Sequence, residues 1–85
     1  SIGMDDKIRV YIRSLVEPGE KTKIIVIETS ELVSILKEQV GILFDYGLEG
    51  FLLSTGGILL DELKQIRDYS IDDDDEIALI PSRKK

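Results

Sequence analysis

Gly57-Ile-Leu-Leu-Asp-Glu-Leu-Lys-Gln-Ile-Arg-Asp-Tyr-Ser-Ile71 decides the fold, together with Ile77-Ala-Leu-Ile80 beyond an acidic loop. Gly56-Gly57 turns the chain, since glycine accepts the positive φ that tight turns need. Ile58 to Leu60 reads as a brief strand, and Asp61 to Tyr69 as a segment with a short helical turn. Asp72, Asp73, Asp74, Asp75 and Glu76 make the acidic loop. Ile77 to Ile80 is the last strand, and Pro81 is expected to stop it because proline lacks a ladder donor.

Upstream, Lys7 to Leu15 alternates Ile8, Val10 and Ile12 with Arg9, Tyr11 and Arg13, the period of two that marks a half-buried strand. Glu17-Pro18-Gly19-Glu20 signals a turn. Thr22 to Glu28 is β-branched and aliphatic, so a second strand completes a hairpin. Thr29 or Ser30 is the expected helix N-cap, with Glu31 in the first turn. Leu32, Val33, Leu36, Val40 and Leu43 recur at helical spacing, with Lys37, Glu38 and Gln39 on the polar side. Gly41 falls near the helix end, Asp45 to Gly50 is a loop, and Phe51 to Thr55 is a third strand.

The 85 residues suffice for one small domain, and 42% hydrophobic content suffices for its core. Residues 1–6 read as a tag remnant or disordered lead, with Met4 as a natural start. Residues 7–81 read as the domain and 82–85 as a basic tail or linker. A net charge of -6 argues against nucleic acid as the main partner. No apolar run reaches the roughly 20 residues of a membrane span, so no membrane partner is expected. The absence of cysteine excludes disulfides and thiolate metal sites and suits a reducing, intracellular setting.

The Gly57–Ile71 run resembles the C-terminal third of ubiquitin and its relatives. In that family a G-x-x-L-x-[DE]-x-x-[TS]-L-x-D-Y-x-I run leads into a last strand of alternating apolar residues. Gly57, Leu60, Asp61, Ile66, Asp68, Tyr69 and Ile71 fall at matching positions without a gap. The resemblance spans about Lys7 to Ile80 and is weakest at Phe44 to Gly50. It implies an α+β fold, the ubiquitin-like β-grasp: a mixed sheet of four to five strands with one main helix across one face. The first and last strands then lie parallel at the sheet centre.

Such a sheet buries one face. Ile8, Val10, Ile12, Ile25, Ile27, Phe51, Leu53, Ile77 and Leu79 are expected to meet Val33, Leu36 and Val40 there. Arg9, Tyr11, Arg13, Ile24, Val26, Leu52, Ser54, Ala78 and Ile80 then point outward, and six of these nine are apolar or aromatic where polar residues are the rule. They form the candidate partner-binding surface. Tyr11, flanked by Val26 and Ile80, is its expected anchor, and Arg9 and Arg13 are its rim for steering an acidic partner. The resemblance implies that this face is where ubiquitin carries its recognition patch. The patch's central isoleucine falls on Ser54, its arginine neighbour on Leu52, its histidine on Ala78 and its valine on Ile80. The chemistry is half kept, so ordinary ubiquitin receptors are expected to bind poorly.

The sequence contains no histidine and no cysteine, which removes most nucleophile–base pairs and zinc ligation. No enzyme activity, cofactor or metal is expected. Consecutive aspartates at 72–75 splay apart and lack the interleaved spacing and glycine of a calcium loop, so the loop reads as solvated. Ubiquitin-type modifiers end in a diglycine tail, whereas this sequence runs Ile80-Pro-Ser-Arg-Lys-Lys85. The expected function is therefore a non-conjugated protein-interaction domain of a larger intracellular protein. The alternative is self-association into a homo-oligomer, pairing two apolar sheet faces or the acidic loop with a basic edge at Lys7 or Arg9, as in Phox-and-Bem domains. Ile58-Leu59-Leu60, Arg67-Asp68 and Ile77-Ala78-Leu79 resemble the N-terminal ubiquitin-like domain of coilin, a nuclear-body scaffold. A Ras-association role would rest on Lys21 and Lys23 of the second strand.

Overall fold

The computed structural model describes residues 6–16 and 20–83. The turn read at Glu17-Pro18-Gly19, most of the N-terminal lead and Lys84-Lys85 lie outside the described residues. Five strands and one long helix follow in the order β1 (Lys7–Ser14), β2 (Lys21–Glu28), α1 (Val33–Phe44), β3 (Phe51–Thr55), β4 (Ile58–Leu59) and β5 (Glu76–Pro81). Short 3-10 turns occupy Leu48–Gly50 and Ile66–Asp68. The sheet runs β2-β1-β5-β3-β4, with β1 and β5 parallel and the other neighbours antiparallel. This is the β-grasp arrangement expected from the sequence. No helix among the described residues is long and apolar enough to cross a membrane.

Alternation sorts the strands. Val10 and Ile12 of β1, Ile27 of β2, Phe51 and Leu53 of β3, and Ile77 and Leu79 of β5 are buried with Val33, Leu36 and Val40 of α1. Ile8 and Ile25 are only partly buried at the margin. Leu60, Ile66 and Ile71 complete the core from the 60–71 segment, so the matched aliphatic residues of that stretch are structural plugs. Gly56 and Gly57 both take positive φ, at 54° and 81°, as a two-residue hairpin turn between β3 and β4 requires.

The helix begins later than the sequence indicates. Its N-cap is Leu32, which has no side chain suited to capping, and no acidic residue lies in the first turn. Thr29 and Ser30 instead form the turn leaving β2. The orphan N–H groups of the first helical turn find backbone acceptors: Val33 N–H donates to Lys64 O (2.8 Å) and Ser34 N–H to Glu62 O (3.2 Å). In return Ile66 N–H donates to Glu31 O and Arg67 N–H to Thr29 O. The 62–67 segment thus caps the helix, and a capping side chain is unnecessary.

Three further expectations are corrected. Lys37 is not on a polar helix face; it is buried, with Nζ 3.0 Å from Glu62 Oε2 and 5.2 Å from the Phe51 ring centroid. Glu76 belongs to β5, not to the acidic loop. β5 does end at Pro81, but Pro81 is its last paired residue, opposite Phe51, and not the first residue beyond it. Ser82 N–H donates to Gly50 O (3.0 Å), so Pro81 turns its missing donor away from β3. On the β1 side the last bond is Leu15 N–H to Leu79 O (2.7 Å), and the next rung would need the donor that proline lacks.

The loop after α1, where the resemblance is weakest, is fixed by Tyr46. Its ring stacks on Phe44 with centroids 5.7 Å apart, and its hydroxyl lies 3.2 Å from the buried Ser14 Oγ. Gly41 allows this close return: a Cβ there would sit 3.1 Å from both Tyr46 O and Leu48 Cδ2.

Candidate protein-binding face

The register places all nine outward residues on the sheet face opposite α1. Across the strands, Val26 lies opposite Arg9, and Ile24 opposite Tyr11, which in turn faces Glu76. The next row is Thr22, Arg13, Ala78, Ser54 and Leu59. Beyond it Leu52 pairs with Ile80. Tyr11 is therefore flanked by Ile24 and Glu76, not by Val26 and Ile80. Ile80 lies four residues further along β5 than Glu76, about 13 Å up the sheet.

The apolar surface is consequently split. One patch is Tyr11, Ile24 and Val26 on β1 and β2, where Ile24 is 54% and Val26 60% exposed. The other is Leu52, Ala78, Ile80 and Leu59 on β3, β4 and β5. Leu59 escaped the sequence reading, although counting back through the Gly56-Gly57 turn pairs it with Ser54.

Arg13 and its two carboxylate partners lie between the patches, and the Arg9–Asp74 pair lies at the far end of the first. Arg9 grips Asp74 through Nε (2.9 Å) and Nη2 (2.6 Å). Arg13 reaches Glu20 (3.0 Å) on one side and Glu76 (3.2 Å) on the other. The hydrogen bond that Arg9 donates to Asp74, and then the charge of Asp74, hold the Arg9 proton more firmly than usual. Both arginines expected to rim the face are thus paired with carboxylates of their own chain.

The acidic loop is stitched to β1. Asp73 Oδ1 accepts from Arg9 N–H (2.9 Å), Asp74 N–H donates to Arg9 O (2.6 Å), and Tyr11 N–H donates to Asp75 O (2.9 Å). Asp75 Oδ2 accepts from Asp72 N–H, and Asp74 adopts a positive φ of 68° that aspartate tolerates. Among the described residues no three carboxylates gather closely enough to hold a metal ion. Lys23, one of two basic residues considered for a Ras-association role, donates to Leu43 O at the helix end (2.9 Å).

No protein-family model and no curated protein sequence matches the chain. Solved structures do match. A Caldiarchaeum subterraneum ubiquitin superposes with a TM-score of 0.80 at 15% identity, covering 93% of this chain and 98% of that one. The fold is the ubiquitin-like β-grasp. The ubiquitin-like domain of Plasmodium falciparum Dsk2 matches with a TM-score of 0.81 at 22% identity, covering 91% and 100%. A ubiquitin-like domain from an Arabidopsis thaliana protein matches with a TM-score of 0.80 at 24% identity, covering 100% and 89%. Identities this low carry the fold alone, and these matches do not show the coilin likeness. On the ubiquitin-like fold, the four positions matched to the recognition patch sit as two adjacent cross-strand pairs, Leu52–Ile80 and Ser54–Ala78.

Proposed function

We propose that this ubiquitin-like domain is a protein-interaction module, not itself conjugated and not an enzyme, within a larger intracellular protein. It binds a protein partner through the open sheet face. The observation that carries this reading is the pair of adjacent rows Leu52–Ile80 and Ala78–Ser54–Leu59, an apolar patch on the side away from the helix. Interface energy concentrates in a few such central apolar side chains, with charged neighbours setting orientation. The Glu76–Arg13–Glu20 belt beside the patch supplies that polar margin. Tyr11, Ile24 and Val26 form a second anchor area across the belt. The absence of histidine and cysteine supports a binding role over a catalytic one.

Self-association through the acidic loop and a basic edge is the weaker alternative, because Arg9 is already engaged by Asp74 within one chain. The test is a matched set of charge insertions, each scored for partner capture and melting temperature. Leu59→Asp and Ile80→Asp are expected to abolish capture, whereas Leu63→Asp, outside the face at 87% exposure, is expected to retain it. Normal capture by both face variants would place the site elsewhere.

A further inference from the structure

Among the described residues, β2 is a sheet edge with only β1 beside it. Its pairing with β1 runs unbroken from Lys7–Glu28 to Ser14–Lys21, without a bulge. The middle of the strand is Ile24-Ile25-Val26-Ile27, with neither charge nor proline. Long, regular, apolar edges are the ones that accept another strand, and proteins ordinarily blunt them.

The backbone polarity of this edge follows from its neighbours. Thr29 N–H donates to Asp6 O (2.9 Å), which fixes Asp6–Thr29 as a hydrogen-bonded pair of the antiparallel ladder. Alternation then assigns Ile25 and Ile27 to β1, and turns the N–H and C=O groups of Thr22, Ile24, Val26 and Glu28 to the outer edge. The other side of β1 agrees: Tyr11 and Leu15 donate toward β5, leaving its even-numbered residues for β2. The outward backbone groups thus belong to the same residues whose side chains crowd the open face, including Ile24 and Val26.

We propose that β2 pairs antiparallel with β2 of a second copy of this chain, around a two-fold axis at Ile25. In that register Ile24 lies opposite Val26 of the second copy, twice by symmetry, and Thr22 opposite Glu28. Sliding by two residues one way sets Ile24 against Glu28; the other way sets Glu20 against Glu28. A one-residue slip mismatches both side-chain faces and hydrogen-bond polarity. Charge chooses the direction. The strand carries Lys21 and Lys23 at its start and Glu28 at its end, with Glu31 just beyond. Antiparallel pairing brings each lysine end beside the other copy's acidic end, whereas parallel pairing sets like against like. The two sheets then join into one, with both helices on the same side. This contact uses an edge, and it does not depend on the face reading above.

The test is sedimentation equilibrium from about 10 µM to 1 mM, the range of a small interface, with amide hydrogen exchange read by NMR at both ends. The weight-average mass is expected to rise toward the dimer. The Ile24 and Val26 amides are expected to slow by about tenfold or more at high concentration, while Ile25 and Ile27, already bonded to β1, change little. Val26→Pro deletes an outward donor without removing a β1 bond and is expected to stay monomeric; Leu59→Asp is expected to dimerise normally. A monomer throughout the range overturns the proposal. So does a dimer whose Ile24 and Val26 amides exchange as in the monomer, because that dimer is joined through another surface.

Discussion

Leu36→Ala probes how the helix and sheet hold each other. Leu36 is fully buried on α1, within the cluster containing Val10, Ile12, Phe51, Ile77 and Leu79. The substitution removes three carbon groups, about 2.4 kcal/mol of transfer free energy at roughly 0.8 kcal/mol each. A cavity term adds to this. The walls belong to three paired strands, which cannot close readily over the gap, so the total should reach about 3–4 kcal/mol within the usual range. An 85-residue domain has about 4–13 kcal/mol of stability in all. The loss therefore corresponds to a melting point lowered by about 12–30 °C. Urea and thermal unfolding followed by circular dichroism measure it. Ile42→Ala on the same helix, at a position 83% exposed, is the control and should change stability by less than about 0.5 kcal/mol. A Leu36→Ala loss below about 1 kcal/mol, or equal losses at both positions, would refute the helix register.

Tyr69→Phe removes the hydroxyl that accepts the Asp61 N–H at 2.7 Å and should cost about 1 kcal/mol in urea unfolding. Lys37→Met keeps the stem over Phe51 while deleting the ion pair with Glu62, and should stay within about 1.5 kcal/mol of the parent. Lys37→Ala also loses that packing and should unfold at lower urea than Lys37→Met. Gly41→Ala should lower the melting temperature, because the new methyl group meets the Tyr46 carbonyl and the Leu48 side chain; an unchanged melt would mean that the 45–50 loop shifts without cost.

The sheet was legible because its signal is local. Alternation along β1 and β5, together with a two-residue turn at Gly56-Gly57, fixes which residues face the helix. The helix start was not legible, because its caps are backbone carbonyls of Glu62 and Lys64, some thirty residues downstream and without a side-chain signature. Lys37 reads as solvent-facing until Glu62 and the Phe51 ring are brought beside it. Pro81 does end β5, but its own place opposite Phe51 was not legible, because it depends on the missing donor facing away from β3. The nine outward residues were legible as a set, but their division was not. It depends on Arg13 meeting Glu76, a contact that parallel β1–β5 pairing creates between residues more than sixty positions apart.

The most direct test of the face reading introduces a photo-crosslinking amino acid at Leu59 and, separately, at Leu63. Both positions are exposed, Leu63 more so (87% against 56%), and only Leu59 belongs to the sheet face. With cell extract as the probe, the Leu59 protein should yield a discrete adduct that Ile80→Asp abolishes, and the Leu63 protein should not yield that adduct. Adducts of equal yield at both positions, or a Leu59 adduct untouched by Ile80→Asp, would contradict the assignment of the sheet face as the binding site.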